Sequence, residues 1–226
     1  MTYEATRDRL ETYFDRTASK TWERLTSDAP VSKIRQTVRE GRDAMRAAML
    51  AQFPEDLTGC RVLDAGCGAG PATVALAERG ARVVAVDISP SLLDVARRRT
   101  PPALLDRIEF LAGDMLDARH GQFDFVMAMD SLIHYRAPDI AAALGKLAER
   151  TRDKVVFTVA PKTPLLSAMH VVGKLFPRSD RSPAIVPHSE ARIASALRTA
   201  GVNGALSSVT RVTSGFYISQ AMEFRP

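Results

Sequence analysis

The stretch Asp64-Ala65-Gly66-Cys67-Gly68-Ala69-Gly70 runs straight out of the apolar segment Cys60–Leu63, and a second apolar run, Arg82–Val86, ends in Asp87, twenty-one residues after Gly66. A glycine loop between a strand and a helix lets a ligand approach the backbone where a Cβ would clash. An acidic residue ending the next strand can accept both hydroxyls of a ribose. Together the two features point to a nucleoside-bearing ligand.

The glycine spacing narrows the choice. A dinucleotide fingerprint, G-x-G-x-x-G, would need glycine at position 71. That position is Pro71, the third glycine is Gly70, and Asp64 stands two residues before Gly66. The pattern Asp-x-Gly-x-Gly-x-Gly resembles the S-adenosylmethionine loop of Rossmann-like (class I) methyltransferases. Their ligand has no pyrophosphate to cradle, but it carries an ammonium and a sulfonium, which suit a nearby carboxylate. Asp64, Gly66, Gly68 and Gly70 are therefore candidate cofactor residues, joined by Asp87 at the ribose and by Ile88 after it.

Composition sets wide bounds. A chain of 226 residues with 46% hydrophobic and 25% charged residues fits one globular domain with room for a lid or insertion. No apolar run approaches the roughly 20 residues needed to span a bilayer. The segment Met1–Tyr13 is charged and lacks an apolar signal core, so a cytoplasmic protein is expected. Cys60 and Cys67 match no zinc or redox spacing, no histidine pair has ligand spacing, and no metal is expected. From Lys162 to Arg198, six basic residues face only Asp180 and Glu190, an excess that favours an acidic partner or substrate. No aromatic-interleaved basic run supports nucleic acid as that partner.

Strands and helices alternate from about residue 60 onward, which argues for an α/β fold built on a parallel sheet. Strands are expected at Arg61–Leu63, Val83–Val86, Ile108–Leu111, Phe123–Met127 and Val155–Val159, with helices near Ala72–Arg79, Ser91–Arg99 and Ile140–Glu149. Pro71 and Pro90 suit first helical positions, and Ser89 suits a cap. A helix over Ser189–Ala200 should stop at Gly201, followed by a hairpin from Ala205–Val212 and Phe216–Glu223. That ending resembles the class I methyltransferase sheet, seven strands in the order 3-2-1-4-5-7-6. Two segments stand apart: residues 1–51, amphipathic and helical, and an insertion at 164–187 within the cofactor domain, residues 52–226.

Strand carboxyl ends border the ligand crevice in such sheets. After the third strand, Asp114 can accept the adenine amino group, with the Met115 backbone beside the ring. After the fourth comes Met129-Asp130-Ser131-Leu132-Ile133-His134-Tyr135, which should border the transferred methyl. Asp130 counts with the cofactor, His134 is the leading catalytic candidate, and Tyr135 lines the same cavity. His120 is expected in a solvent-exposed turn, His170 in apolar packing, and His188 at the start of the last helix.

Further motifs sharpen the resemblance. Tyr13-Phe14, Trp22, Val38-Arg39-Glu40-Gly41-Arg42, Leu132–Tyr135, Ala160–Thr163, Leu175-Phe176-Pro177 and Phe216-Tyr217 make the chain similar to the magnesium-protoporphyrin IX O-methyltransferases of bacteriochlorophyll and chlorophyll synthesis. That resemblance implies methyl transfer from S-adenosylmethionine to the C13 propionate of magnesium protoporphyrin IX, leaving S-adenosylhomocysteine. It implies the large porphyrin-carrying subunit of magnesium chelatase as a partner, and peripheral association with the photosynthetic membrane. The N-terminal helices and the insertion should then form a lid over the macrocycle, with Trp22 and Tyr135 against it and Lys162, Arg178 and Arg181 at its propionates. Thr26 stands where the family pattern carries a tyrosine.

A propionic acid with a pKa of about 4.3 is already ionised at neutral pH, so a strong base is unnecessary. Placement and desolvation should dominate, with His134 orienting the carboxylate. Two other readings share these residues. One is an O-methyltransferase for another hydrophobic small molecule, such as a quinone precursor. The other is a non-catalytic S-adenosylmethionine- or porphyrin-binding regulator of the chelatase.

Overall fold

The computed structural model describes residues 2–18, 33–162 and 184–226. Trp22, Thr26, His170, Arg178, Arg181 and most of the 164–187 insertion lie outside the described residues.

Five strands follow the five apolar runs: β1 (Arg61–Ala65), β2 (Arg82–Asp87), β3 (Ile108–Ala112), β4 (Phe123–Ala128) and β5 (Thr151–Pro161). β1, β2 and β4 are buried almost continuously rather than alternately, as befits parallel strands covered on both faces. β1 pairs in parallel with β2 and β4, placing Asp64 opposite Ala85 and Met127. The C-terminal hairpin, β7 (Ala205–Ser214) and β8 (Tyr217–Arg225), closes the sheet, with β8 antiparallel to β5. The long strands run β3-β2-β1-β4-β5-β8-β7, the expected topology. One strand is additional: β6 (Pro187–His188) pairs with β5 at Ala160 and Pro161. Two residues carry no periodicity, so this strand exists only through its tertiary partner.

Six α-helices flank the sheet among the described residues: α1 (Tyr3–Thr12), which runs on through a wider turn at Tyr13–Ala18, then α2 (Lys33–Leu50), α3 (Pro71–Glu78), α4 (Pro90–Arg99), α5 (Ala137–Ala148) and α6 (Glu190–Thr199). Pro71 and Pro90 open their helices, where a missing N–H leaves no bond unmade. Ser89 caps α4, its hydroxyl accepting from the Leu92 amide. Met45 and Met49 of α2, Leu76 of α3 and Leu93 of α4 are fully buried on one sheet face with Val62 and Met127. Ile140 and Leu144 of α5 fill the other face with Leu63, Val126 and Phe157, and Leu10 of α1 joins this second cluster. The packing thus carries α1 across the strand carboxyl ends.

Candidate active site

A cleft of about 710 Å³, including its open mouth, lies along the carboxyl ends of β3, β2, β1 and β4. Its floor is the glycine loop. Gly66 has φ +81°, and a Cβ there would come 2.5 Å from the Ser131 Cβ. Gly68 has φ +55° with nothing within 4 Å of its would-be Cβ, so the floor beside it is open to a ligand. Gly70 does different work. It precedes α3 at φ +81°, and a Cβ would press to 2.9 Å from Ala96 on α4, so this glycine serves helix packing and is not on the cleft wall.

Asp87 is 8% exposed and braces the loop. Its Oδ2 accepts from the Gly68 amide at 2.8 Å and its Oδ1 from the Ser89 amide at 2.9 Å. Burial raises its pKa, and the two backbone donors oppose that rise. A carboxylate offers about four acceptor sites, so capacity for two ribose hydroxyls remains. Ile88 follows it on the cleft wall. Asp64 sits behind the loop and off that wall, 2% exposed, taking a 2.5 Å hydrogen bond from the Thr73 hydroxyl. Burial, and then the neighbouring Asp87, push its pKa up to about 7.

At the β3 end, the Asp114 carboxylate binds α1 directly. Its Oδ1 accepts from the Tyr3 hydroxyl at 2.8 Å and from the Leu116 amide at 2.9 Å; the Arg7 guanidinium reaches Oδ2 at 3.1 Å. The Tyr3 ring stacks on Tyr135 at 4.8 Å between centroids. Met115, beside Asp114 on the cleft wall, is buried. His120 is half-buried rather than exposed, and its Nε2 donates to the Asp114 carbonyl at 2.9 Å. The turn curls back on itself here, which residue polarity alone could not show.

At the β4 end, Asp130 has φ +54°, unusual for a residue with a Cβ. Its amide donates to Thr158 Oγ1 at 2.7 Å, and its carboxylate receives Arg42 of α2 at 2.8 Å and the Tyr217 hydroxyl at 3.1 Å. Arg42 and Asp130 both line the cleft. Neither Arg42 nor Tyr217 stands out as a site residue in the sequence, although both fall in motifs that carry the resemblance. Ser131, also on the wall, has a buried hydroxyl oxygen with no hydrogen-bond partner among the described residues.

His134 lines the cleft, with its Nδ1 3.3 Å from the Ala184 carbonyl oxygen. Only a protonated Nδ1 can donate there, and burial pushes the ring pKa down to about 4. The neutral ring therefore keeps Nε2 as its acceptor. Tyr135 is 3% exposed, and its carbonyl accepts from Nε2 of the buried His188 at 2.8 Å. His188 thus ties β6 to the cleft wall and does more than begin α6. Lys162 is exposed at the end of β5, off the cleft wall, its amide donating to the His188 carbonyl.

Open floor at Gly68, spare capacity on Asp87 and an acceptor at Asp114 fit an adenosine moiety. Residues 62–154 match the general methyltransferase domain, and residues 128–226 match the family described as magnesium-protoporphyrin IX methyltransferase C-terminus. The magnesium-protoporphyrin O-methyltransferase of Rhodobacter capsulatus is 58% identical over 225 residues, covering 99% of this chain and 98% of that relative. The chain belongs to the magnesium-protoporphyrin O-methyltransferase family. The Synechocystis enzyme of the same description is 31% identical over 93% of this chain and 92% of its own. A crystal structure of the Synechocystis magnesium protoporphyrin IX methyltransferase with bound S-adenosylhomocysteine superposes with a TM-score of 0.81 at 27% identity, covering 97% of this chain and 99% of that one. A second crystal structure of the Synechocystis enzyme carries bound S-adenosylmethionine, and this chain shares the class I methyltransferase fold.

Proposed function

We propose that this chain transfers a methyl group from S-adenosylmethionine to the C13 propionate of magnesium protoporphyrin IX, giving the monomethyl ester and S-adenosylhomocysteine. The observation that carries this reading is one cleft with adenosine-type acceptors at Asp114 and Asp87, His134 at its β4 end and α1 over it, in a chain with full-length similarity to that family.

When bound, S-adenosylmethionine supplies a methyl group activated by its sulfonium. Asp114 accepts the adenine amino group, Asp87 the ribose hydroxyls, and the Gly66–Gly68 backbone lets the chain lie close. His134 orients the acceptor carboxyl. With the propionate already ionised no proton has to be removed; the neutral imidazole orients it by donating from Nε2, the tautomer that gives up the 3.3 Å contact of Nδ1 with the Ala184 carbonyl. That oxygen meets the sulfonium methyl with no proton left to move, so this chain's part is to place the carboxylate and keep it dry. Desolvation by Tyr3 of α1 and Phe14 of the turn that follows it removes water from the attacking oxygen.

The division into an arm over 1–51 and a cofactor domain over 52–226 is part of this proposal. Within the arm, α1 roofs the cleft while α2 packs into the core through Met45 and Met49. Trp22 and the 164–187 insertion would complete the roof, with Arg178, Arg181 and Lys162 meeting porphyrin propionates. Association with the large chelatase subunit, and peripheral association of a cytoplasmic protein with the photosynthetic membrane, rest on the resemblance alone.

The test is incubation of purified protein with both substrates and mass analysis of the pigment. A single added methyl, labile to mild ester hydrolysis, is expected. Binding of both ligands without product would replace the enzyme by a binding module. Full turnover with unchanged substrate binding in His134→Asn would remove the role given to His134.

A further inference from the structure

The strands bordering the cleft run β3, β2, β1, β4. At their carboxyl ends, in the same order, stand Asp114, Asp87, Gly66 and Asp130. A nucleoside with an amino-acid tail, laid with adenine at Asp114 and ribose at Asp87, sends that tail past Gly66 to the end of β4. The cleft wall there carries the Asp130 carboxylate and the Arg42 guanidinium, paired at 2.8 Å. An α-amino acid presents an ammonium and a carboxylate on one carbon, and an Asp–Arg pair complements it charge for charge.

Asp130 is not held by its own strand. Its left-handed backbone is strained and persists only where neighbours determine it. Thr158 of β5 holds the amide, and the Tyr217 hydroxyl sits 3.1 and 3.3 Å from the two carboxylate oxygens. The Tyr217 ring packs on the backbone just before Arg42: a Cβ on Gly41 would come 2.7 Å from Tyr217 Cδ1 and 3.0 Å from Ser214 Cβ. At the hairpin tip, Gly215 has φ +56°, and any side chain there would run into Thr37 of α2. Tyr217 thus touches Asp130 through its hydroxyl and, through its ring, Gly41, the residue that leads into Arg42.

We propose that Tyr217 is a positioning residue for the amino-acid end of the cofactor: it fixes the Asp130–Arg42 pair so that the carboxylate meets the α-ammonium and the guanidinium meets the α-carboxylate. The assignment rests on the methyltransferase reading. It separates two ligands by chemistry, because S-adenosylhomocysteine carries the amino-acid tail and 5′-methylthioadenosine does not.

The experiment measures binding of both nucleosides by calorimetry to the full chain, its Tyr217→Phe variant and its Gly41→Ala variant. Tyr217→Phe keeps the ring and is expected to weaken S-adenosylhomocysteine by about tenfold, the scale of one hydrogen bond to a charged group. Its affinity for methylthioadenosine should stay within about twofold. Gly41→Ala displaces the ring and should show the same selective loss, so the proposal stands on two independent variants. Equal weakening of both nucleosides, or unchanged S-adenosylhomocysteine binding, would overturn it. Wild-type protein that bound neither nucleoside would overturn the methyltransferase reading and this assignment with it.

Discussion

Replacing Asp64 with asparagine should stabilise the ligand-free protein above neutral pH while weakening cofactor binding. The carboxyl is 2% exposed and has one side-chain donor, the Thr73 hydroxyl. Burial lifts its pKa from 3.8 to about 7. Between those values the folded chain keeps a proton that the unfolded chain releases. Unfolding stability therefore falls as pH rises from about 4 to about 7 and is level beyond. A displacement of about three pH units corresponds to roughly 4 kcal/mol, to order of magnitude. The replacement amide is neutral throughout and can still accept from Thr73. The stability difference between Asp64→Asn and wild type should thus grow from near zero at about pH 4 to about 4 kcal/mol at pH 8, or roughly 10 °C in Tm for a chain of this size. Urea or thermal unfolding of both proteins across that pH series measures it. In the same preparations at pH 8, where wild-type Asp64 carries its charge, S-adenosylmethionine should bind the variant less tightly, because a negative charge behind the loop is gone. A difference that stays flat from pH 4 to 8, or grows toward acid, would refute the reasoning by showing Asp64 ionised throughout in the folded chain.

Three further outcomes are expected. His134 is held neutral with a pKa of about 4, so wild type should lose stability as pH falls from about 6.5 to about 4, by at most about 3 kcal/mol, and His134→Asn should flatten that part of the unfolding profile. Gly66→Ala meets both a φ of +81° and the Ser131 Cβ at 2.5 Å; it should cost about 1–3 kcal/mol and most of the nucleoside affinity. Ser131→Gly in the same chain should recover part of the stability in chemical denaturation. Lys154 and Glu223 form a buried pair at 3.0 Å, and Lys154→Met should cost about 3 kcal/mol by urea unfolding, softened because Arg225 also binds Glu223.

The legible parts of the molecule were those written locally. Continuous apolar runs marked β1 to β5, because strands buried on both faces leave no polar register to confuse them. Pro71, Pro90 and Ser89 marked helix starts because their effects span a single turn. Asp87, Asp114 and His134 could be placed near the cleft by position alone, since each follows a strand whose carboxyl end must face it. Asp64 and Gly70 share the same motif, yet one supports the loop from behind and the other seats α3 against α4. Motif membership did not distinguish these roles. Which side of a tight turn each residue faces depends on the helices packed behind it.

Sequence by itself determined the strand–helix alternation and the glycine loop, because each is a matter of residue type at short spacing, and its motifs carried the resemblance that implied the ligand and the family. Tertiary structure alone decided how the ends of the cleft are closed. Tyr3 and Arg7 meet Asp114 across more than a hundred residues, and Tyr217 meets Asp130 across 87. β6 pairs with β5 although two residues cannot announce a strand. The proton on His134 depends on the Ala184 carbonyl, 50 residues away. Such contacts join polar groups whose local sequence patterns look like ordinary surface. Only the closed sheet, with α1 and α2 packed against it, brings them within hydrogen-bond reach and excludes the water that would otherwise satisfy them.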